Sequence, residues 1–295
     1  MGWLFDNEKN TGTIPVMGMN ERNLRMIYAN NPREHYALAD DKVLCKNILE
    51  KNKVPCAKTY CVIENIGDIV SGWESVQQYT KLAIKPANGS GGGGIKILRK
   101  NELGKWMGSG KLISDDDIYF HLATIIFGVF SLGSTDRVLI EECIEPHSFF
   151  SEIYPQGVPD FRVIMLHKQP VMAMLRVPTD KSDGKANLHQ GGLGIGIDIK
   201  KGLLMQAFDG KNYHDLHPDN GNAINGKKIE YWNEIIEISR QTASLFPLNY
   251  LGIDIVLDHK KGPMIMEINV RPGLAIQLAN KKGLKQVLEE KQLNY

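Results

Sequence analysis

The sequence predicts an α+β fold made largely of antiparallel sheet. Three observations lead there. Runs rich in Ile, Val, Leu and Met are joined in pairs by short turns or a glycine-rich loop, at 81–98, 161–176 and 249–273. Stretches of helical period lie between those pairs, near 40–53, 64–79, 115–132 and 228–246, with another after Gly273. The glycine-rich loops stand between strands, and none reads GxxxxGK(S/T) or opens a helix as GxGxxG, so Walker-type and Rossmann-type readings fail on context.

Composition narrows the function classes. The chain has 295 residues, 42% of them hydrophobic, enough for one large or two to three smaller domains with a substantial core. Lys and Arg total 35 against 34 Asp and Glu, a net charge of +1, so no global field favours nucleic acid or an anionic membrane. Cys45, Cys56, Cys61 and Cys143 form no CxxC pair and have no His at zinc-finger spacing, which reads as buried thiols in a reducing compartment. Met1–Asp6 lacks the basic start and apolar core of a signal peptide, and the expectation is a cytoplasmic protein without a membrane span. The most lipid-like run, Leu122–Leu132, is too short to span a bilayer and follows the acidic helix start Asp115-Asp116-Asp117, so it reads as a buried helix.

Taken in order, residues 1–39 form an irregular N-terminal segment with several Asn and two Pro. Asp40 or Asp41 then caps a helix running to about Lys53, with Val43, Leu44, Ile48 and Leu49 on its apolar side. Lys42 lies in the first turn of that helix, where the dipole disfavours a cation; it is a phosphate-contact candidate if an anion faces it and a surface lysine otherwise. The strand Lys81–Pro86 carries Lys85 next to the loop Gly89, Ser90, Gly91, Gly92, Gly93, Gly94. Such a loop beside a lysine suits a mobile phosphate cover, because backbone N–H groups approach anionic oxygens where no Cβ intervenes. The alternative, a flexible Gly/Ser linker, fits less well between two closely flanking apolar strands. Arg137–Pro146 is a buried strand with an acidic end. Arg162 and Arg176 are embedded in the next strands, where each should meet an anion. Asn187–Gly196 is a second glycine-rich stretch.

The stretch Asn249–Gly273 is a β-hairpin. With Lys260 and Lys261 as its central turn residues, Asp254 lies opposite Glu267; Asn269 joins their face, while Ile253, Ile255, Met266 and Ile268 point to the core. Two carboxylates about 5 Å apart repel by roughly 3 kcal/mol at an effective dielectric near 20. A hard divalent cation, Mg²⁺ or Mn²⁺, would compensate, and the all-oxygen set Asp254, Glu267, Asn269 suits it. Taken alone, the pair also reads as the solvated face of an antiparallel sheet.

The order of these pieces decides between the readings. A strand lysine, a glycine loop, Glu141-Glu142-Cys143-Ile144-Glu145, two strand arginines, Asn187–Gly192 and the Asp…Glu-x-Asn hairpin together resemble the ATP-grasp ligases, from about Asp40 to Gly273. Within them, Asp160–Val163, Arg176 and Asn187–Gly192 are similar to the alpha-L-glutamate ligases, including RimK-like enzymes, and to their sugar-transfer-associated relatives. The resemblance implies an ATP-grasp fold of two α+β lobes gripping ATP, the first spanning 40–138 and the second 139–295. It implies that Lys85, and less securely Lys42, touch the phosphates under a closing Gly89–Gly94 loop. Glu141, Glu142 and Ile144 would form the hinge strand at adenine, with Glu145 at the ribose, and Asp254, Glu267 and Asn269 would hold the metal. Arg162, Arg176, Asn187 and Arg271 would steady the γ-phosphate or the carboxylate under attack, and His189 would be either a proton acceptor or structural.

The implied reaction joins a small-molecule carboxylate to an amine through an acyl phosphate, releasing ADP. A glutamate or other amino acid is the donor class, and a peptide or protein is among the acceptors. A catalytically idle nucleotide-binding module is the alternative. A kinase is disfavoured for want of HRD and DFG motifs. Only about 40 residues precede Asp40, fewer than such relatives carry, which leaves room for a partner subunit or homo-oligomer.

Overall fold

A computed structural model of the chain describes residues 15–89, 91–182 and 184–295. β1 (Thr59–Ile63), β2 (Lys81–Pro86), β3 (Lys96–Lys100), β4 (Trp106–Gly108), β5 (Lys111–Leu112) and β6 (Val138–Glu142) form one antiparallel sheet in the order β1-β6-β2-β3-β4-β5. A second contains β7 (Asp160–Leu166), β8 (Gln169–Val177), β9 (Leu193–Asp198), β10 (Leu203–Phe208), β11 (Tyr213–His214), β12 (Tyr250–Asp258) and β13 (Gly262–Asn269), ordered β11-β10-β9-β8-β7-β12-β13. The two sheets with their covering helices make the α+β architecture that the strand pairs and intervening helices predict.

Each sheet has its own core. In the first, Leu82, Ile84, Leu98, Val138 and Ile140 meet Ile118, Leu122 and Ile125 of the helix Asp115–Ile126. Ser114 starts that helix with a capping box shared with Asp117. It stops at Ile126, short of the buried run expected to Leu132; Phe127, Val129 and Leu132 are exposed, because Gly128 takes a positive φ and turns the chain out. The larger core lies under the second sheet, where Phe161, Val163, Ile253 and Ile255 meet Trp232 and Ile235 of the helix Trp232–Ser244. No helix among the described residues is long and apolar enough to cross a membrane.

Two expected boundaries move. Val138–Glu142 does not open the second unit; it sits inside the first sheet, between the edge strand β1 and β2. The helix Lys42–Lys51 is shared between the units: Val43 packs with Val62, Ala87 and Leu139 of the first, while Cys45 and Leu49 bury into the larger core. The segment before residue 40 is more ordered than its composition suggests: Met19–Glu21 is α-helical, Arg22–Tyr28 π-helical and Ala37–Asp40 α-helical, with Met26 and Ile27 fully buried. Residues 1–14 of that segment lie outside the described residues.

Candidate active site

The β12–β13 hairpin places Asp254 opposite Glu267 as expected, by a different route. Its loop holds three residues, His259–Lys261, in place of the two expected, pairing Asp258 with Gly262, whose φ of +73° a Cβ would resist. A bulge between Asp254 and Ile255 then absorbs Met266, restoring the expected register from Asp254 back to Gly252. Met266 consequently leaves the main core and faces the cleft beside Glu267, against the expectation drawn from strict alternation.

β7 extends the row. Arg162 lies directly across from Asp254, so Arg162, Asp254 and Glu267 occupy one rung of three neighbouring strands. The expected repulsion between the two carboxylates is met by protein cations. Arg162 forks onto Asp254 through Nε and Nη2 at 2.8 and 2.6 Å, Arg176 donates Nη2 at 2.7 Å, and Asn269 donates its amide at 3.1 Å. Arg176 also donates Nε to Asp160 at 2.6 Å. Asp254 is fully buried, which alone would raise its pKa; Arg162 and Arg176 outweigh burial and hold it below the usual carboxylate range. Asp160 goes the other way, raised to about 6 by burial and the charge of Asp254, with Arg176 only partly offsetting them.

A second cluster meets this one at Glu267, which lines the same cleft. The helix Lys42–Lys51 is capped by Asp41, whose Oδ1 accepts from the amides of Val43 and Leu44. It turns Lys42, Cys45, Lys46 and Leu49, spaced one and two turns apart, toward the cleft. Lys46 Nζ lies 2.6 Å from Glu141 Oε2, and Lys85 pairs with the other oxygen of the same carboxylate. Glu141 and Lys85 are diagonal neighbours on β6 and β2, since Glu141 opposes Ala83 and Lys85 opposes Leu139. Burial opposes ionisation of both, yet their mutual attraction wins: Glu141 is held low and Lys85 high. Lys42 ties the hairpin to the glycine loop, 3.3 Å from Glu267 and donating to the carbonyl of Gly89 at 2.7 Å. The anion that its place near the helix start called for is therefore Glu267.

The glycine loop ends the cleft. Gly91 and Gly92 have φ of +63° and +77° and are exposed, so their backbone is open to a ligand. Ser90 lies outside the described residues. The far end of the loop is anchored by His121, whose Nε2 sits 3.0 Å from the carbonyl of Gly94; burial, with Lys96 nearby, lowers this imidazole to about 4. Gln190 reaches the carbonyl of Gly91 at 3.3 Å, so the second glycine-rich stretch touches the first.

The other expected residues divide. Ile144 lines the cleft. Glu142 pairs with Lys261, and Glu145 with Lys81, so both carboxylates are already engaged in the described structure. Asn187 caps its own turn through the His189 amide, and His189 is exposed. Arg271 turns away to Asp40 at 3.8 Å and over the ring of Tyr36, leaving Arg162 and Arg176 as the arginines gathered at Asp254. Sequence reasoning missed Lys46, although its position one turn after Lys42 carried the signal.

The model of the family described as sugar-transfer associated ATP-grasp matches residues 21–292, which include both clusters, the hairpin and the glycine loop. The chain belongs to the sugar-transfer-associated ATP-grasp family. No curated protein matches it. Among solved structures, D-alanyl-alanine synthetase A from Vibrio cholerae is 11% identical with a TM-score of 0.52, over 86% of this chain and 63% of that one. D-alanine–D-alanine ligase from Bacillus anthracis complexed with ATP is 13% identical with a TM-score of 0.49, over 86% and 61%. The ATP-grasp ligase PsnB complexed with minimal precursor is 12% identical with a TM-score of 0.48, over 89% and 63%. This member of the ATP-grasp family thus spans about 63% of the length of the synthetase and of PsnB.

Proposed function

We propose that the chain is an ATP-dependent carboxylate–amine ligase that forms an amide through an acyl phosphate and releases ADP. The observation that carries this reading is the meeting of two charge clusters at the β12–β13 hairpin: Lys46, Glu141 and Lys85 line one cleft with Glu267, and Glu267 shares its rung with Asp254 and Arg162, to which Arg176 is joined. Phosphoryl transfer needs positioning and charge stabilisation more than acid–base groups, and these residues supply both. Lys85 and Lys46 bind the phosphates, the backbone of Gly91 and Gly92 covers them, and Ile144 borders the base.

Asp254 and Glu267 share one rung of the hairpin and Asn269 lies two residues along the same face, and their oxygens form a hard donor set that fits Mg²⁺. When bound there, Mg²⁺ supplies charge neutralisation at the phosphates. Arg162 and Arg176 orient the carboxylate that attacks the γ-phosphate and stabilise the charge that develops on it. The amine then displaces phosphate from the acyl group. The glutamate-ligase branch remains the donor class that Asp160–Val163 and Asn187–Gly192 suggest.

The test is the nucleotide product. Amino acids and cell-extract fractions are screened for those that stimulate ADP release, and hydroxylamine then replaces the amine to trap the activated acyl group as a hydroxamate. ADP and hydroxamate together support the reading. AMP and pyrophosphate as stoichiometric products would overturn the acyl phosphate, and nucleotide binding without stimulated turnover would favour the idle module.

A further inference from the structure

The segment from Pro15 to Asn31 belongs to neither sheet, yet bonds between side chains and backbone tie it at three places to the second unit: the helix Ile276–Ala279, the turn at Pro272 and β12. Gln277 accepts from the Met17 amide at 2.8 Å and donates to the Met17 carbonyl at 3.1 Å. Asn31, 3% exposed, donates to the Tyr250 carbonyl at 2.7 Å and accepts from the Asn249 and Tyr250 amides, fixing the first residue of β12. Between these two, Arg22 donates Nη1 to the carbonyl of Pro272 at 2.9 Å and is itself locked by Asn23 Oδ1, which accepts from Nε and Nη2 at 3.1 and 2.8 Å.

Arg22 stands apart from the other two anchors. It is 9% exposed and opens a seven-residue π-helical run, a backbone form found mostly as single turns and frequently at functional sites. Among the described residues its hydrogen-bond partners are a carbonyl and an amide oxygen, with no carboxylate to offset the burial of its charge. Holding a carbonyl requires only a neutral donor; a charged fork makes a stronger and more directional bond. The carbonyl it holds has particular neighbours. The Pro272 ring packs on Gly252, where an added Cβ would lie 2.5 Å from Pro272 Cβ, and Gly252 shares its strand face with Asp254 two residues on. At Gly273 an added Cβ would lie 4.0 Å from Arg162 Nη1.

We propose that Arg22 is a positioning residue for the Asp254–Glu267 centre: it fixes the Pro272–Gly273 turn against Gly252 and Arg162, and through them the carboxylate expected to take the divalent cation. The inference rests on the nucleotide and metal reading above, and it predicts an effect confined to one side of the cleft. Among the described residues, Lys42, Lys46 and Lys85 make no hydrogen bond or ion pair with the turn. Loss of Arg22 therefore leaves metal-free nucleotide binding intact and weakens the gain that magnesium adds.

Calorimetry on the full chain, with ADP as the probe, measures its dissociation constant in EDTA and in excess Mg²⁺, and the ratio is the magnesium gain. In Arg22→Gln this gain falls at least tenfold (about 1.4 kcal/mol) while the EDTA value stays within about twofold. Asn23→Ala, which unlocks the guanidinium without removing it, shifts the gain in the same direction by less and serves if Arg22→Gln does not fold. Asn31→Ala, loosening the same segment elsewhere, lowers the melting temperature and keeps the gain. An unchanged gain in Arg22→Gln or Asn23→Ala overturns the proposal, as does an equal loss of gain in Asn31→Ala at matched melting temperature. Wild-type protein that binds no ADP would instead overturn the nucleotide site on which the proposal rests.

Discussion

The two walls of the proposed site are both built from buried ions, but their charges balance differently; of the second, Glu267 is the residue that lines the cleft itself. On one wall a single carboxylate, Glu141, holds two lysines, Lys46 and Lys85, leaving one positive charge in excess. On the other, Asp254 and Asp160 hold Arg162 and Arg176, two against two, and Glu267 pairs with Lys42. The first wall is ready for an anion without rearrangement. The second is a closed set in which both oxygens of Asp254 already accept hydrogen bonds from arginine, so a divalent cation must compete for that carboxylate. The two sides of the proposed site therefore differ in how much they must change when ligands arrive, and the proposed phosphate side changes less.

The largest effect should come from breaking the first wall at its centre. Glu141→Ala leaves Lys46 and Lys85 buried without a partner, and removing one member of a buried ion set costs about 3–5 kcal/mol. Thermal melting should show a fall on the order of 10 °C for a chain of this size. Lys85→Met should do less, because Glu141 keeps Lys46, while ADP affinity in EDTA drops about tenfold or more. A stability loss from Lys85→Met equal to that from Glu141→Ala would contradict the charge count.

The closed balance of the second wall gives the next effect. Mg²⁺ alone should leave the melting temperature unchanged, ADP alone should raise it, and Mg²⁺ added with ADP should raise it further, as expected when one ligand relieves a cost the other would bear. EDTA should remove only the last increment. Asp254→Asn should abolish that increment while ADP still binds in EDTA. Stabilisation by Mg²⁺ without nucleotide would show that Asp254 is free to ligate despite its arginines.

How far the sequence carried this site depends on the range of the contacts. The Asp254–Glu267 pairing was legible because a hairpin is local and period two constrains it. The bulge at Met266 was not, since nothing in the residue types there distinguishes an absorbed residue from an alternating one. Arg162 and Arg176 were readable as cations in need of anions, but their shared partner lies 92 and 78 residues away and emerges only when β7 pairs with β12. The same limit explains Val138–Glu142: its apolar pattern says strand and says nothing of which sheet inserts it between β1 and β2. Arg271 sits in the motif but is exposed, and its orientation toward Asp40 and Tyr36 is set by packing that the motif does not encode. The Arg22 clamp joins residues 250 apart and leaves no local trace.

The smallest effect distinguishes the walls by acid. Asp160 is 3% exposed and its carboxyl is raised to about 6, first by burial and further by Asp254, against the pull of Arg176. Glu141 is held low, because two lysines overcome its burial. Between pH 7 and pH 4.5 a proton should therefore enter the second wall and not the first. The sign follows from which state binds it. The native protein takes up the proton near 6 and the unfolded chain only near 3.8, so the contribution of Asp160 to stability is full below the unfolded value and is lost as pH rises through 6. Across that window the change is about 2 kcal/mol. Asp160→Asn carries no titrating proton and lacks this dependence. Its melting temperature relative to wild type should be highest at pH 7 and should fall steadily toward pH 4.5. A difference that stays constant with pH, or grows on acidification, would mean that Asp160 is ionised throughout and that the second wall keeps its balance of two against two.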